Sequence, residues 1–240
     1  MHTCAQMKYH YAFGVKAYLS DRKKRIVAVN DGARRSVYNH LVAWNNEIYR
    51  LKPTAPFCPV DRERIDYLRS VMSSQQAIAN ALPYLNDPGV DSCTVGFAKR
   101  AYLTAWKNCR ERGSGVPVFH RKSYEQSYQT SAHYPNDADC LSDSTGIRII
   151  DAHHIQIPKM GTVRVDGSPA IIGAVLNHQK NTRIGTATVS RDAADMYWIK
   201  LQIASDEPFA EQLPKTGELA GIDLNLLELV NVSHGAAFQN

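Results

Sequence analysis

IRIIDAHHIQIPKMGTVRV, residues 147 to 165, alternates apolar and polar residues in short runs broken at Asp151-Ala152 and at Pro158-Lys159-Met160-Gly161. A period of two with Ile and Val on one parity marks half-buried strands, and Asp, Pro and Gly are the residues that turn a chain between them. The pattern continues through AIIGAVL at 170–176, TRIGTATVS at 182–190 and MYWIKLQIA at 196–204. Strands this short, at this spacing, predict a small all-β module of the barrel kind. Far upstream, KYHYAFGVKAYL at 8–19 has the same composition. A lone strand is not stable by itself, so this one is expected to join the same sheet.

Between these stretches the period becomes helical. Asp21 to Arg25 reads as a charged turn followed by a short continuation, IVAV, and a helix is predicted from Asp31 as N-cap. Val37, Leu41, Trp44, Ile48 and Leu51 recur along one face of that helix, and Pro53 stops it. A second helix fits Asp61 to Leu85, with Ile65, Leu68, Met72, Ala79 and Leu82 as its apolar stripe. A third runs from Ser92 to Arg112, turning Val95, Ala98, Tyr102, Ala105 and Cys109 inward, and Gly113-Ser114-Gly115 ends it. Arg100, Lys107 and Arg110 form an exposed basic strip about 15 Å long on its other side. Residues 209–216, FAEQLPKT, read as a linker, and LAGIDLNLLELVNVS at 219–233 reads as two strands of a new domain.

The chain has 240 residues, 44% of them hydrophobic, which suits a folded protein with a real core. No apolar run is long enough to span a membrane and the first twenty residues lack a signal-peptide core, so a cytoplasmic protein is expected. Five cysteines, Cys4, Cys58, Cys93, Cys109 and Cys140, are widely spread without a C-x-x-C pair, which predicts reduced thiols and no zinc site. Net charge is strongly segregated. Residues 1–134 hold 20 Lys and Arg against 10 Asp and Glu, a balance of +10, and residues 135–240 hold 8 against 13, a balance of −5. A basic half of this kind points to a polyanionic partner.

FHRKSYEQSYQT, from Phe119 to Thr130, is the best local candidate for holding RNA. His120, Arg121 and Lys122 can meet phosphates, while Tyr124 and Tyr128 can stack on unpaired bases. The plainer alternative is a solvated loop whose tyrosines pack on the sheet. Gly221-Ile222-Asp223-Leu224 places an Asp at the edge of an apolar strand, the position from which RNase H-like nucleases hold catalytic metals. Taken alone the motif is weak, since any Asp at a strand end would match and a plain turn Asp is the commoner case.

The order of the motifs is more specific than any one of them. GARRSVYNHLVAWNNEIYR at 32–50, DSCTVGFAKRAYLTAWKNCRERGSGVPVFHRK at 91–122, IQIPKMGTVRV at 155–165, TATVSRDAADMYWIKLQI at 186–203 and LPKTGELAGIDLNL at 213–226 together resemble the TnpB-type (OrfB-like), transposon-associated, RNA-guided endonucleases. These are relatives of miniature type V CRISPR effector nucleases. The resemblance implies an α+β architecture in which a wedge-type β-barrel is interrupted by a helical recognition lobe and followed by the first strands of an RNase H-like (RuvC) domain. In that scheme 1–30 and 135–213 make the wedge barrel, 31–134 the helical lobe and 214–240 the start of RuvC. It also implies guide RNA and target DNA as partners, Mg²⁺ as cofactor of the completed nuclease, and Asp223 as its first catalytic, metal-binding carboxylate. Arg34, Arg35, Arg100, Lys107, Arg110, His120, Arg121, Lys122, Tyr124 and Tyr128 fall in the nucleic-acid-handling segments.

Asn225 stands where the family usually has Gly, Leu227 where it usually has a cation, and 53–89 has no clear counterpart. The resemblance puts the remaining carboxylates and a zinc ribbon beyond Asn240. Cleavage is therefore expected only with a completed RuvC domain, the alternative being a cleavage-deficient RNA- and DNA-binding repressor or remnant. The oligomeric state is open.

Overall fold

The alternating segments form a seven-stranded antiparallel sheet in the computed structural model of the chain, which describes residues 4–135, 144–167 and 182–209 and, as strands, 222–223, 228–232 and 237–239. The strands are β1 (Tyr9–Tyr18), β2 (Gln126–Ser131), β3 (Arg148–Asp151), β4 (His154–Ile157), β5 (Gly161–Asp166), β6 (Thr182–Arg191) and β7 (Tyr197–Ser205). They lie in the order β2-β6-β7-β1-β5-β4-β3. The early strand thus sits in the middle of the sheet, between two strands from the far end of the chain. AIIGAVL at 170–176 lies outside the described residues.

One parity of every strand points into a single core. Tyr128 of edge strand β2, Ile149 of edge strand β3 and the fully buried Ile155, Val163, Val189, Ile199 and Ile203 all belong to it, so the sheet curls around one apolar interior. Each such Ile contributes about 1.5–3 kcal/mol on burial. A bulge keeps β6 in phase. Ile184 pairs with Ile203 and Ala187 with Leu201, so Gly185 and Thr186 together face Gln202. The extra residue restores the inward parity for Ala187 and Val189.

The helices are α1 (Asp21–Leu51), α2 (Pro59–Ser73), α3 (Gln75–Ala81) and α4 (Cys93–Arg112), and with the sheet they make an α+β fold. Two of them differ from the sequence expectation. Asp21 to Arg25, predicted as a turn, is the first turn of α1, and Asp31, predicted as an N-cap, lies deep inside that helix and is buried. The helix predicted over Asp61–Leu85 is broken at Ser74, whose side chain caps α3 by accepting a hydrogen bond from the Ala77 N–H at 3.0 Å. A one-turn 3₁₀ helix follows at Pro83–Asn86. The helices therefore occupy Asp21 to Arg112, and the chain is back in the sheet at Gln126, ahead of residue 135. α4 ends at Gly113, whose φ of 66° is the left-handed conformation that glycine adopts without strain.

Buried polar groups lock the helices to one another and to the sheet. Asn30, fully buried, donates to the carbonyls of Ile26 and Gly89, both at 2.9 Å, and its Oδ1 accepts from the Asp91 N–H at 2.7 Å and the Thr94 hydroxyl at 3.2 Å. Asp31 accepts from Arg35 Nη1 at 2.7 Å, from Arg34 Nη2 at 3.4 Å and from the Ser127 N–H of β2 at 3.2 Å. Arg34 Nε returns a hydrogen bond to the Ser127 carbonyl at 3.0 Å. One end of β2 is in this way held by a side-chain clamp from α1.

Residues Ala210–Asn240 form a second, small unit. It contains a three-stranded antiparallel sheet, β8 (Ile222–Asp223), β9 (Glu228–Val232) and β10 (Ala237–Gln239), in the order β10-β9-β8. Asn225 and Leu227 lie outside the described residues.

Candidate nucleic-acid interface

The outward parity of the sheet is polar, and strand register gathers residues distant in sequence into rows. Ser127, Ser190, Trp198 and Lys16 lie side by side across β2, β6, β7 and β1. The next row is Gln129, Thr188, Lys200 and Gly14. Beyond it come Thr186 at the bulge and Gln202. At about 4.8 Å per strand each four-strand row spans roughly 14 Å. Gly14 is the small member, and a Cβ there would meet Lys200 Cγ at 3.3 Å, so the aliphatic stem of Lys200 lies across the glycine and its ammonium reaches beyond.

This floor continues through two open hollows. The first, of 750 Å³, is walled by Ser123 and Glu125 on one side and by Arg191 and Asp192 on the other. The Arg191 guanidinium sits 4.0 Å from the centre of the Tyr124 ring and bonds Asp195 at 2.7 Å. The Trp198 indole N–H donates to Asp192 at 2.8 Å, and this bond, followed by the Met196 N–H, holds the Asp192 carboxyl below its usual range. The second hollow, of 480 Å³, has Gln129, Thr186 and Gln202 as its floor and Arg100, Asn108 and His120 among its walls. Hydroxyls and amides thus line both hollows together with Arg100, Arg191 and Lys200, and the first also carries the carboxylates of Glu125 and Asp192.

The sequence-predicted residues divide between these surroundings. Arg100, Lys107 and Arg110 are exposed along α4, Arg100 packed against the Phe97 ring at 5.2 Å and Lys107 loosely paired with Glu111 at 3.9 Å. Arg121 and Lys122 are exposed, and neither bonds another described residue. Tyr124 is 56% exposed. Arg34 and Arg35 are committed to Asp31 and β2, a structural role that leaves them partly accessible. Tyr128 is different. Its ring is 1% exposed inside the sheet core, where burial raises its phenol pKa, and a ring so enclosed has no face for a base. It stands on the inward parity of β2, packed into the sheet as the plainer alternative for this segment had it.

His120 is stacked flat on Tyr38, with ring centroids 3.9 Å apart and planes 8° from parallel. Its backbone is clamped by Asn39, which accepts from the His120 N–H at 2.8 Å and donates to its carbonyl at 3.0 Å. Desolvation, then the charges of Arg34 and Arg35, hold its pKa below the ordinary 6.5. The neutral ring is therefore the folded form at neutral pH. Because the unfolded chain protonates nearer 6.5, this contribution to stability is present above that pH and is lost as pH falls below it. A proton NMR titration is expected to place the His120 midpoint below 6.5 in the free chain and to move it upward when RNA phosphates neutralise the neighbouring arginines. A midpoint at or above that value, unmoved by RNA, would contradict both parts.

Asp223 ends β8 opposite Asn231 of β9. Among the described residues no group of three or more His, Cys, Asp or Glu comes together as a cation site. No helix of the described residues is long and apolar enough to cross a membrane. No protein-family model matches the chain, and no curated protein matches it.

Proposed function

We propose that the chain holds RNA on the outer face of its sheet, as the amino-terminal portion of an RNA-guided DNA endonuclease of the TnpB type. The observation that carries the reading is the polar floor of Ser127, Gln129, Thr188, Ser190 and Gln202 bordered by Lys16, Lys200 and Arg100. Cations neutralise phosphates without regard to sequence, whereas a bed of hydroxyls and amides suits the 2′-hydroxyls of an A-form minor groove. The +10 balance of residues 1–134 supports the same partner. In this reading the curled seven-stranded sheet is the wedge barrel, α1 to α4 are the recognition lobe inserted in it, and the second unit opens a RuvC domain. Target DNA and Mg²⁺-dependent cleavage belong to that domain when complete, with Asp223 as its first carboxylate.

The test is to sequence the RNA that co-purifies with the chain and to compare its affinity with that of a DNA of the same sequence. A discrete, structured RNA bound in preference to the DNA is expected. Purification free of RNA, or equal affinity for both, would overturn the proposal.

A further inference from the structure

We propose a second site, a pocket for one unpaired nucleobase, in the cleft between α1 and α4; it rests on the nucleic-acid reading but lies apart from the sheet floor. Tyr49 and Trp106 both line it as a tilted ring pair, with centroids 6.4 Å apart and planes inclined by 35°. Val116 and Pro117 close another side, and the hollow measures 590 Å³, the size of a small-ligand pocket. Tyr49 is 58% exposed and Val116 61% exposed, which is unusual for large apolar groups lining one hollow.

Polar groups at the mouth suit a base rather than an aliphatic side chain. Asn45 and Asn46 both line the pocket, and neither side chain bonds another described residue. A carboxamide offers a donor beside an acceptor, the pattern with which Asn and Gln read base edges. Tyr49 and Asn45 also border the adjoining hollow, which holds Lys52 and Arg69. Arg69 is only loosely paired, 3.7 Å from Asp66 with both side chains exposed. The Glu47 carboxylate is engaged by Arg64 at 2.8 and 3.2 Å, and Glu111 is loosely paired with Lys107 at 3.9 Å. An aromatic slot with free amides and a cationic rim complements a base attached to a phosphate.

The experiment uses the whole chain and fluorescence anisotropy, with a labelled single-stranded RNA and a blunt RNA duplex. Tyr49→Ala is expected to weaken the single strand about tenfold, leaving its salt slope and duplex affinity unchanged. Trp106→Phe, which keeps a ring, should hold single-strand affinity within about threefold while reducing the quenching of tryptophan emission by that RNA to the part that Trp44 and Trp198 give. Undiminished single-strand binding by Tyr49→Ala overturns the pocket alone, as does equal loss on strand and duplex. Self-association of the chain that Tyr49→Ala abolishes would assign the cleft to a second copy and also overturn it. Failure of the unaltered chain to bind either RNA would sink this inference together with the reading it rests on.

Discussion

Raising monovalent salt from about 50 to about 200 mM is expected to weaken the binding of structured RNA roughly a thousandfold. The figure follows from about six phosphate contacts, each releasing close to one counterion, and exposed Lys200, Arg100, Lys107, Arg110, Arg121 and Lys122 can supply them. Lys200 is the informative one, since its stem lies against Gly14 and the residue borders the hollow lined by Ser127, Thr188 and Ser190. Lys200→Gln should lower the slope of log affinity against log salt by about one, with the fold intact. Arg34→Gln should not reproduce that result cleanly, because its guanidinium is engaged by Asp31 and the Ser127 carbonyl and its loss disturbs packing. Anisotropy titrations at four salt concentrations measure the slope. A slope near zero would mean that the basic half of the chain does not meet phosphate.

Asp31→Ala should cost about 3 kcal/mol of stability, read as a shift in the midpoint of a urea melt at unchanged m-value. Removing the carboxylate leaves two half-buried guanidinium groups facing each other and the Ser127 N–H without its partner. Asp31→Asn keeps the shape and one acceptor, so its loss should be smaller. The arginines are 20% and 29% exposed, which keeps the cost at the lower end of what a broken buried pair produces. A change below about 0.5 kcal/mol in both variants would show that the clamp between α1 and β2 carries no weight.

Strand positions were legible because their apolar parity is clean, as in MYWIKLQIA, where Tyr197, Ile199, Leu201 and Ile203 all turn inward. The start of α1 was not. Its first turn, Asp21 to Arg25, is polar and mostly solvent-facing, and the residues that touch the sheet core, Ile26 and Val27, come only afterwards. Composition there matches a turn as well as an exposed helix. The break at Ser74 had a readable signal, a serine three residues ahead of the N–H it caps, hidden by an apolar stripe that continues from α2 into α3. The polar floor was the least legible. Thr188, Lys200 and Gln129 are ordinary outward residues on their own strands, and only the register of β2 on β6 and β6 on β7, with the bulge at Gly185 and Thr186, sets them beside one another.

The central place of β1 also fixes the order in which this protein can assemble. Tyr9 pairs with Ser205 and Lys16 with Asp166, so the first strand made has no lateral partner until the last strands of the sheet exist. The helices from Asp21 to Arg112 meet no such delay, since Leu41, Ile78, Ala98 and Tyr102 close a core among themselves. Local contacts form early and non-local pairings wait on loop closure. During synthesis the helical insert can thus close its own core while its anchoring strand is still unpaired, and the sheet closes last.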